Sequence, residues 1–224
     1  MKGNTASYLR RNESSLARLF FPEKCAFCGR PLEKGSVCSQ CRRSLPYTGL
    51  MAGTRMIKNV DRFVSPLYYE DEVRRSILGY KFFGDIGNCR AYAALIAECL
   101  REQGIEYDLI TWVPLSRRHL RRRGYDQAEL IADELAALTG RETTRLLAKV
   151  RENKTQSRVR GRENRLRNVH GVYEVSSEEK CRGVNVLLVD DIVTTGATVS
   201  ECARVLRGGG AGKIYVTAAA VKKV

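Results

Sequence analysis

Tyr92, Leu95, Ile96 and Cys99 recur at i, i+3, i+4 and i+7, the spacing of one buried helical face. They predict a helix over 88–101, stopped by Gly104. Ile131, Leu135 and Leu138 mark a second helix over 126–139, ended by Gly140. Val199, Cys202, Ala203 and Leu206 mark a third over 197–207, ended by Gly208, Gly209 and Gly210. Shorter helices are expected at 14–21 and 72–78. Between these lie apolar runs of strand length at 108–113, 184–189 and 214–221. A further run at 63–69 contains Pro66 and reads as an edge or irregular strand. Residues 44–61 are loop-like, and 149–170 are polar and basic without periodicity.

Strands alternating with helices predict an α/β fold, a parallel sheet flanked by helices over 60–224. The runs ending at Val113 and Val189 are the most continuously apolar and should be central. Ligands of such sheets bind beyond the carboxyl ends of the strands. Both runs end in unusual loops there, VPLSRRHLRRRG and VDDIVTTGAT.

Charge narrows the classes of partner. The 224-residue chain carries a formal net charge of +14. That suits nucleic acid, phosphates or an anionic membrane surface, and it also suits a basic solvated face. Placement favours a specific use. Arg117, Arg118, Arg121, Arg122 and Arg123 cluster around His119. Lys149, Arg151, Lys154, Arg158, Arg160, Arg162, Arg165 and Arg167 crowd a second segment, against only Glu152 and Glu163. No apolar run reaches bilayer length and no apolar signal segment opens the chain, so a cytoplasmic protein without membrane insertion is expected.

The eight cysteines fall into two groups. Cys89, Cys99, Cys181 and Cys202 stand alone, as small buried residues do in a reducing compartment. Cys25, Cys28, Cys38 and Cys41 form two C-x2-C knuckles nine residues apart. Two knuckles supply four thiolates to a tetrahedral ion, and zinc is the commonest occupant. Redox dithiols and an iron–sulfur cluster are the alternatives. With all four ligands from protein, zinc would be structural, stapling a module at 1–50 too short for its own core.

Asp190 and Asp191 follow an apolar strand, and Thr194, Thr195, Gly196, Ala197 and Thr198 follow them. Ionised carboxylates only accept hydrogen bonds, which suits sugar hydroxyls or a hydrated cation. The threonine turn opens a helix, whose N-terminus favours an anion. Side by side, these surfaces fit a sugar phosphate. A bare acid pair before a turn is more often a solvated corner with capping threonines. The thirteen-residue string VLLVDDIVTTGAT is far more specific.

That string resembles the phosphoribosyl pyrophosphate (PRPP) motif of type I phosphoribosyltransferases along its whole length. The resemblance implies that Asp190 and Asp191 hold the ribose 2′ and 3′ hydroxyls. It implies that Thr194–Thr198 wrap the 5-phosphate, and that Mg²⁺ bridges diphosphate and ribose. It also implies a diphosphate loop after an earlier strand, which Pro114, Leu115, Ser116 and Arg117 are placed to form, with Arg117 the expected contact. A loop that excludes water from the reacting centre is expected in 149–170. Transferases of 6-oxopurines carry an acid where this chain has Thr194, which argues against that substrate class.

The order of features narrows the family further. A four-cysteine ribbon is followed by YKFFGD (80–85), VPLSRRHLRRRGYDQAELIA (113–132), RENKTQS…RLRNVHGVY (151–173) and the PRPP string. From about Leu16 onward this resembles the ComF family, phosphoribosyltransferase-like proteins associated with DNA uptake by competent bacteria. The match implies that Lys81, Arg123, Gly124, Tyr125, Gln127, Thr155, Gln156, Arg165 and Asn168 line or support the cleft. Asp126 stands where the family commonly has asparagine, and Tyr125 where it has phenylalanine.

Three functions fit. The first is a PRPP-dependent transferase with an unidentified nitrogen nucleophile. The second is a single-stranded DNA handler, with arginines on phosphates and Tyr80, Phe82, Phe83 or Tyr125 stacking on bases. The third is an adaptor that docks a competence-machinery protein through its ribbon.

Overall fold

The computed structural model describes residues 23–51, 55–152 and 169–223. The helix expected at 14–21 lies outside them, as do Thr155, Gln156, Arg165 and Asn168. The chain begins with a small ribbon, β1 (Glu23–Lys24) antiparallel to β2 (Pro31–Leu32), then helix α1 (Ser39–Ser44). The larger part contributes β3 (Arg62–Val64), β4 (Leu67–Tyr68), α2 (Asp71–Phe82) and α3 (Asn88–Glu102). Then come β5 (Leu109–Trp112), α4 (Arg117–Arg123), α5 (Gln127–Thr139) and β6 (Glu142–Thr143). The last elements are β7 (Leu147–Lys149), β8 (Tyr173–Val175), α6 (Glu178–Cys181), β9 (Val186–Val193), α7 (Ala197–Gly208) and β10 (Ile214–Val221).

Six strands make one sheet, ordered β3-β10-β9-β5-β6 with β4 also on β10. Every pairing in it is parallel, as the alternation of elements predicts. β9 is central, and β10 and β5 flank it. The run with Pro66 lies at the sheet edge and is split into β3 and β4 around Ser65 and Pro66, because proline cannot donate to a ladder.

Alternate residues of β9 serve opposite faces. Leu187 and Val189 pack with Ile77, Tyr92, Ile96 and Leu135 of α2, α3 and α5. Val186 and Leu188 pack with Val199, Cys202 and Leu206 of α7 and with Leu147 and Tyr173 of the antiparallel β7–β8 ribbon. The lone cysteines Cys89, Cys99, Cys181 and Cys202 are all buried, as isolated cysteines of a reducing compartment are expected to be. One position of the α5 face differs: Leu138, in the last turn of the helix, is 56% exposed.

Two of the boundaries that differ from the sequence reading matter to the site. α2 continues through Tyr80, Lys81 and Phe82 rather than stopping at 78, since Tyr80 is a core residue that holds the last turn down. β9 runs through the acid pair to Val193 rather than ending at Val189. Beyond Val189 it pairs only with β10, through Asp190, Ile192 and Val193. β5 stops opposite Val189, so a cleft opens along one side of the strand from Asp190 on.

Candidate active site

The cleft has a volume of about 270 Å³ and is lined by both acids, Lys81, Pro114, Leu115, Arg123, Gln127 and Thr198. Successive strand side chains point to opposite faces, so the neighbouring acids do not share one environment. Asp191 faces α2, where Lys81 Nζ lies 2.8 Å from its Oδ2. Asp190 faces the β7–β8 ribbon, and its field reaches Lys149 and Tyr173 there. Its Oδ1 accepts the Asp191 N–H at 2.8 Å. Burial and then the charge of Asp191 push the Asp190 carboxyl well above the usual range, with Lys81 pulling against them. A cation or a set of hydroxyl donors would relieve that cost.

The threonine turn sits beside the acids. Gly196 has φ +83° and precedes α7, whose start carries no side-chain cap of its own. Thr195 Oγ1 accepts from the Ala197 N–H at 3.4 Å. Of the turn, Thr198 in the first turn of α7 lines the cleft, and Thr194, Thr195, Gly196 and Ala197 are not among the lining residues.

The loop after β5 is built around Asp126. That residue is 5% exposed and caps α5, accepting from Ala128 N–H at 3.1 Å and, through its other oxygen, from Leu115 N–H at 2.7 Å. It therefore ties the 113–116 loop to α5. Ser116 caps α4 and shares a 2.9 Å hydrogen bond with His119 Nδ1. Burial and then the charges of Arg123 and Arg122 hold the His119 imidazole below its usual range. Arg117 itself is exposed at the start of α4 and is not among the cleft-lining side chains. His119 and Arg123 line it instead.

Arg123 donates to Gln127 Oε1 at 2.7 Å and lies 5.0 Å from the Phe82 ring centre. Gly124, at φ +82°, makes the turn between α4 and α5 and leaves the cleft wall to its neighbours. Tyr125 supports that wall from behind, donating to the Tyr80 carbonyl, while Tyr80 Oη donates to the Gln127 carbonyl at 2.8 Å. Tyr80 is wholly buried, so it offers no stacking face, whereas Phe82 and Phe83 are 54% and 79% exposed.

Lys149 and Tyr173 also line the cleft and were not singled out as site residues. Lys149 Nζ lies 5.5 Å from the Tyr173 ring centre. Burial lowers its pKa, and nearby carboxylates offset this. They belong to three-residue strands at either end of the basic segment, too short for a period to show.

Burial pushes the Asp126 carboxyl up to about 7 against the pull of the backbone N–H groups. A raised folded pKa favours the native state when the group is protonated. Its contribution is present near the unfolded value of about 4 and is lost as pH rises through about 7. Asparagine caps a helix equally well. Asp126→Asn should therefore flatten the stability profile between those limits by at most about 1.4 kcal/mol per pH unit. Thermal melts across this range read the change, and parallel profiles for parent and variant would refute it.

The four clustered cysteines form the second site. Their sulfurs all lie within 4.8 Å of one another, and the Cys28 and Cys38 sulfurs are 3.7 Å apart. A tetrahedral ion at zinc–sulfur length needs sulfurs about 3.8 Å apart, so the residues fit zinc. Cys25 Sγ accepts from Cys38 N–H and Cys38 Sγ from Cys41 N–H, both at 3.4 Å, as thiolate ligands do. The ribbon is not free-standing: Phe27 meets Tyr92 edge-on at 6.2 Å and joins the core of the sheet. No helix among the described residues is long and apolar enough to cross a membrane.

Comparison with known proteins matches both parts of the chain to families. Residues 120–223 match the phosphoribosyl transferase domain, and residues 16–51 match the double zinc ribbon domain. A protein of Salmonella typhimurium described as DNA utilization protein YhgH is 31% identical over 202 residues, 86% of this chain and 87% of its own. Competence protein ComFC of Bacillus subtilis is 26% identical over 186 residues, 81% of this chain and 70% of its own. Competence protein F of Haemophilus influenzae is 27% identical over 202 residues, 86% of this chain and 87% of its own. With the cysteine ribbon, the parallel sheet and the acid pair all in place, the chain belongs to the ComF family of proteins with a type I phosphoribosyltransferase fold.

Proposed function

We propose that the cleft binds Mg–PRPP and that the chain works in the cytoplasm as a PRPP-dependent transferase serving DNA uptake or utilization. The observation that carries this reading is the placement of Asp190 and Asp191 on opposite faces of one strand end, beside the start of α7, whose N-cap residue is a glycine. Ribose hydroxyls would donate to the acids. Loop and helix N–H groups and the hydroxyls of Thr194, Thr195 and Thr198 would hold the 5-phosphate. The carboxylates would also hold Mg²⁺, which supplies charge neutralisation to the diphosphate. Lys81, Arg123 and Lys149 on the walls, together with Arg117 at the exposed start of α4, would stabilise that diphosphate as it departs from C1. A nitrogen nucleophile then takes C1.

The competence and DNA utilization proteins among its relatives support the setting. A DNA-handling role has its own support in exposed Phe82 and Phe83, with Arg123 5.0 Å from the Phe82 ring centre, and in the exposed arginines Arg117, Arg118, Arg121 and Arg122. One screen separates the two. Mg–PRPP is incubated with the chain and with free nucleobases or short single-stranded oligonucleotides, and diphosphate release is measured. Acceptor-dependent release is the expected result. Oligonucleotide binding that weakens steeply with salt, with no release for any acceptor, would favour DNA handling over transfer.

A further inference from the structure

A strap formed by residues 55–61 lies along the threonine turn and α7. Arg55 donates through one nitrogen to the Thr194 carbonyl and through the other to the Lys222 carbonyl at 3.3 Å. Ile57 packs under Gly196, where a Cβ would stand 3.2 Å from two of its carbons. Asn59 Nδ2 donates to the Ser200 carbonyl at 3.2 Å. Asp61 accepts from Arg207 at 2.6 Å and from the Ile214 N–H at 2.7 Å. Alternate strap residues thus meet positions 194, 196, 200 and 207 in order.

We propose that Arg55 is a positioning residue for the phosphate-binding turn. This rests on reading 194–198 as that turn. A trans peptide points its carbonyl and the next N–H in opposite directions. Holding the Thr194 carbonyl outward against Arg55 therefore aims the Thr195 N–H inward, where an anion would sit. The guanidinium also sets a fixed positive charge behind the turn. Ile57 supports the same geometry from below. At φ +83°, residue 196 must be glycine for backbone reasons, and any side chain would also press on Ile57. The segment that follows the four-cysteine ribbon thus shapes a loop far from it in sequence.

The test is calorimetric titration of Mg–PRPP into the full chain carrying Arg55→Met or Arg55→Lys, with the unliganded melting temperature measured alongside. Arg55→Met should weaken PRPP about tenfold or more, the worth of charge-assisted hydrogen bonds. Arg55→Lys should recover part of the loss, because lysine keeps the charge but not the two-pronged donor. Arg55 is only part-buried, so the melting temperature should hold. Unchanged affinity in Arg55→Met overturns the proposal, and so does a loss that falls together with the melting temperature. If Arg55→Met does not fold, Arg55→Lys decides, since parental affinity there overturns the proposal and a severalfold loss with intact folding supports it. A parent chain that binds no PRPP instead removes the reading on which the proposal rests.

Discussion

Replacing Asp190 and Asp191 together by asparagine will abolish measurable Mg–PRPP binding while leaving the chain folded. Each carboxylate would accept charge-assisted hydrogen bonds or hold the cation, at about 1.5–3 kcal/mol apiece, so affinity should fall between about a hundredfold and ten-thousandfold. The stability effect should run the other way. Asp190 is held in a site whose burial and whose neighbour Asp191 both oppose its charge. Amides remove that cost. Lys81 loses its partner, but with 19% of its side chain exposed it can turn toward water. A melting temperature at or above the parent's, with PRPP binding gone, separates a ligand site from a structural one. A variant that binds PRPP within a few fold of the parent would show that the acids are not the ribose contacts.

The second large effect concerns the ribbon. Cys25→Ser with Cys28→Ser will remove the bound zinc, expected at one ion per chain, and unfold residues 23–51. β1 and β2 are two residues each and α1 is six, too little to hold together without the ion. Phe27, Cys38, Cys41 and Leu45 belong to the same core as Tyr92 and Ile96, so the loss will reach the larger part. A drop of at least about 3 kcal/mol in stability is expected, in line with losing a structural staple. Metal analysis and denaturant unfolding check it. Zinc retained at parental stoichiometry, or an unchanged unfolding midpoint, would contradict the structural role.

Much of the site could be read in the chain because its parts are local. The acid pair, the threonine turn and the start of α7 occupy one string, and strand-then-helix chemistry dictates their arrangement. The cysteine knuckles are local as well. What escaped depended on pairings between distant segments. That β9 continues through Asp190 follows from β10 running past it, while the cleft follows from β5 stopping at Trp112. Nothing near residue 190 encodes either end. Lys149 and Tyr173 reach the cleft only because β7 and β8 pair across the segment between them. Arg55 sits in a stretch without periodicity, and its role appears only when the strap meets Thr194. Asp126 shows a converse case. In sequence Asp126 stands just after the arginine cluster 117–123, yet it is a buried cap linking Leu115 to α5.

The central claim is that the cleft beside Asp190 and Asp191 is a PRPP site, and one measurement bears on it most directly. PRPP is titrated into the 224-residue chain by calorimetry with Mg²⁺ present and again with the cation removed. The account predicts saturable binding at one site per chain with Mg²⁺, a matching rise in melting temperature, and a collapse of affinity without the cation. No heat and no thermal shift with Mg²⁺ at millimolar PRPP would contradict it.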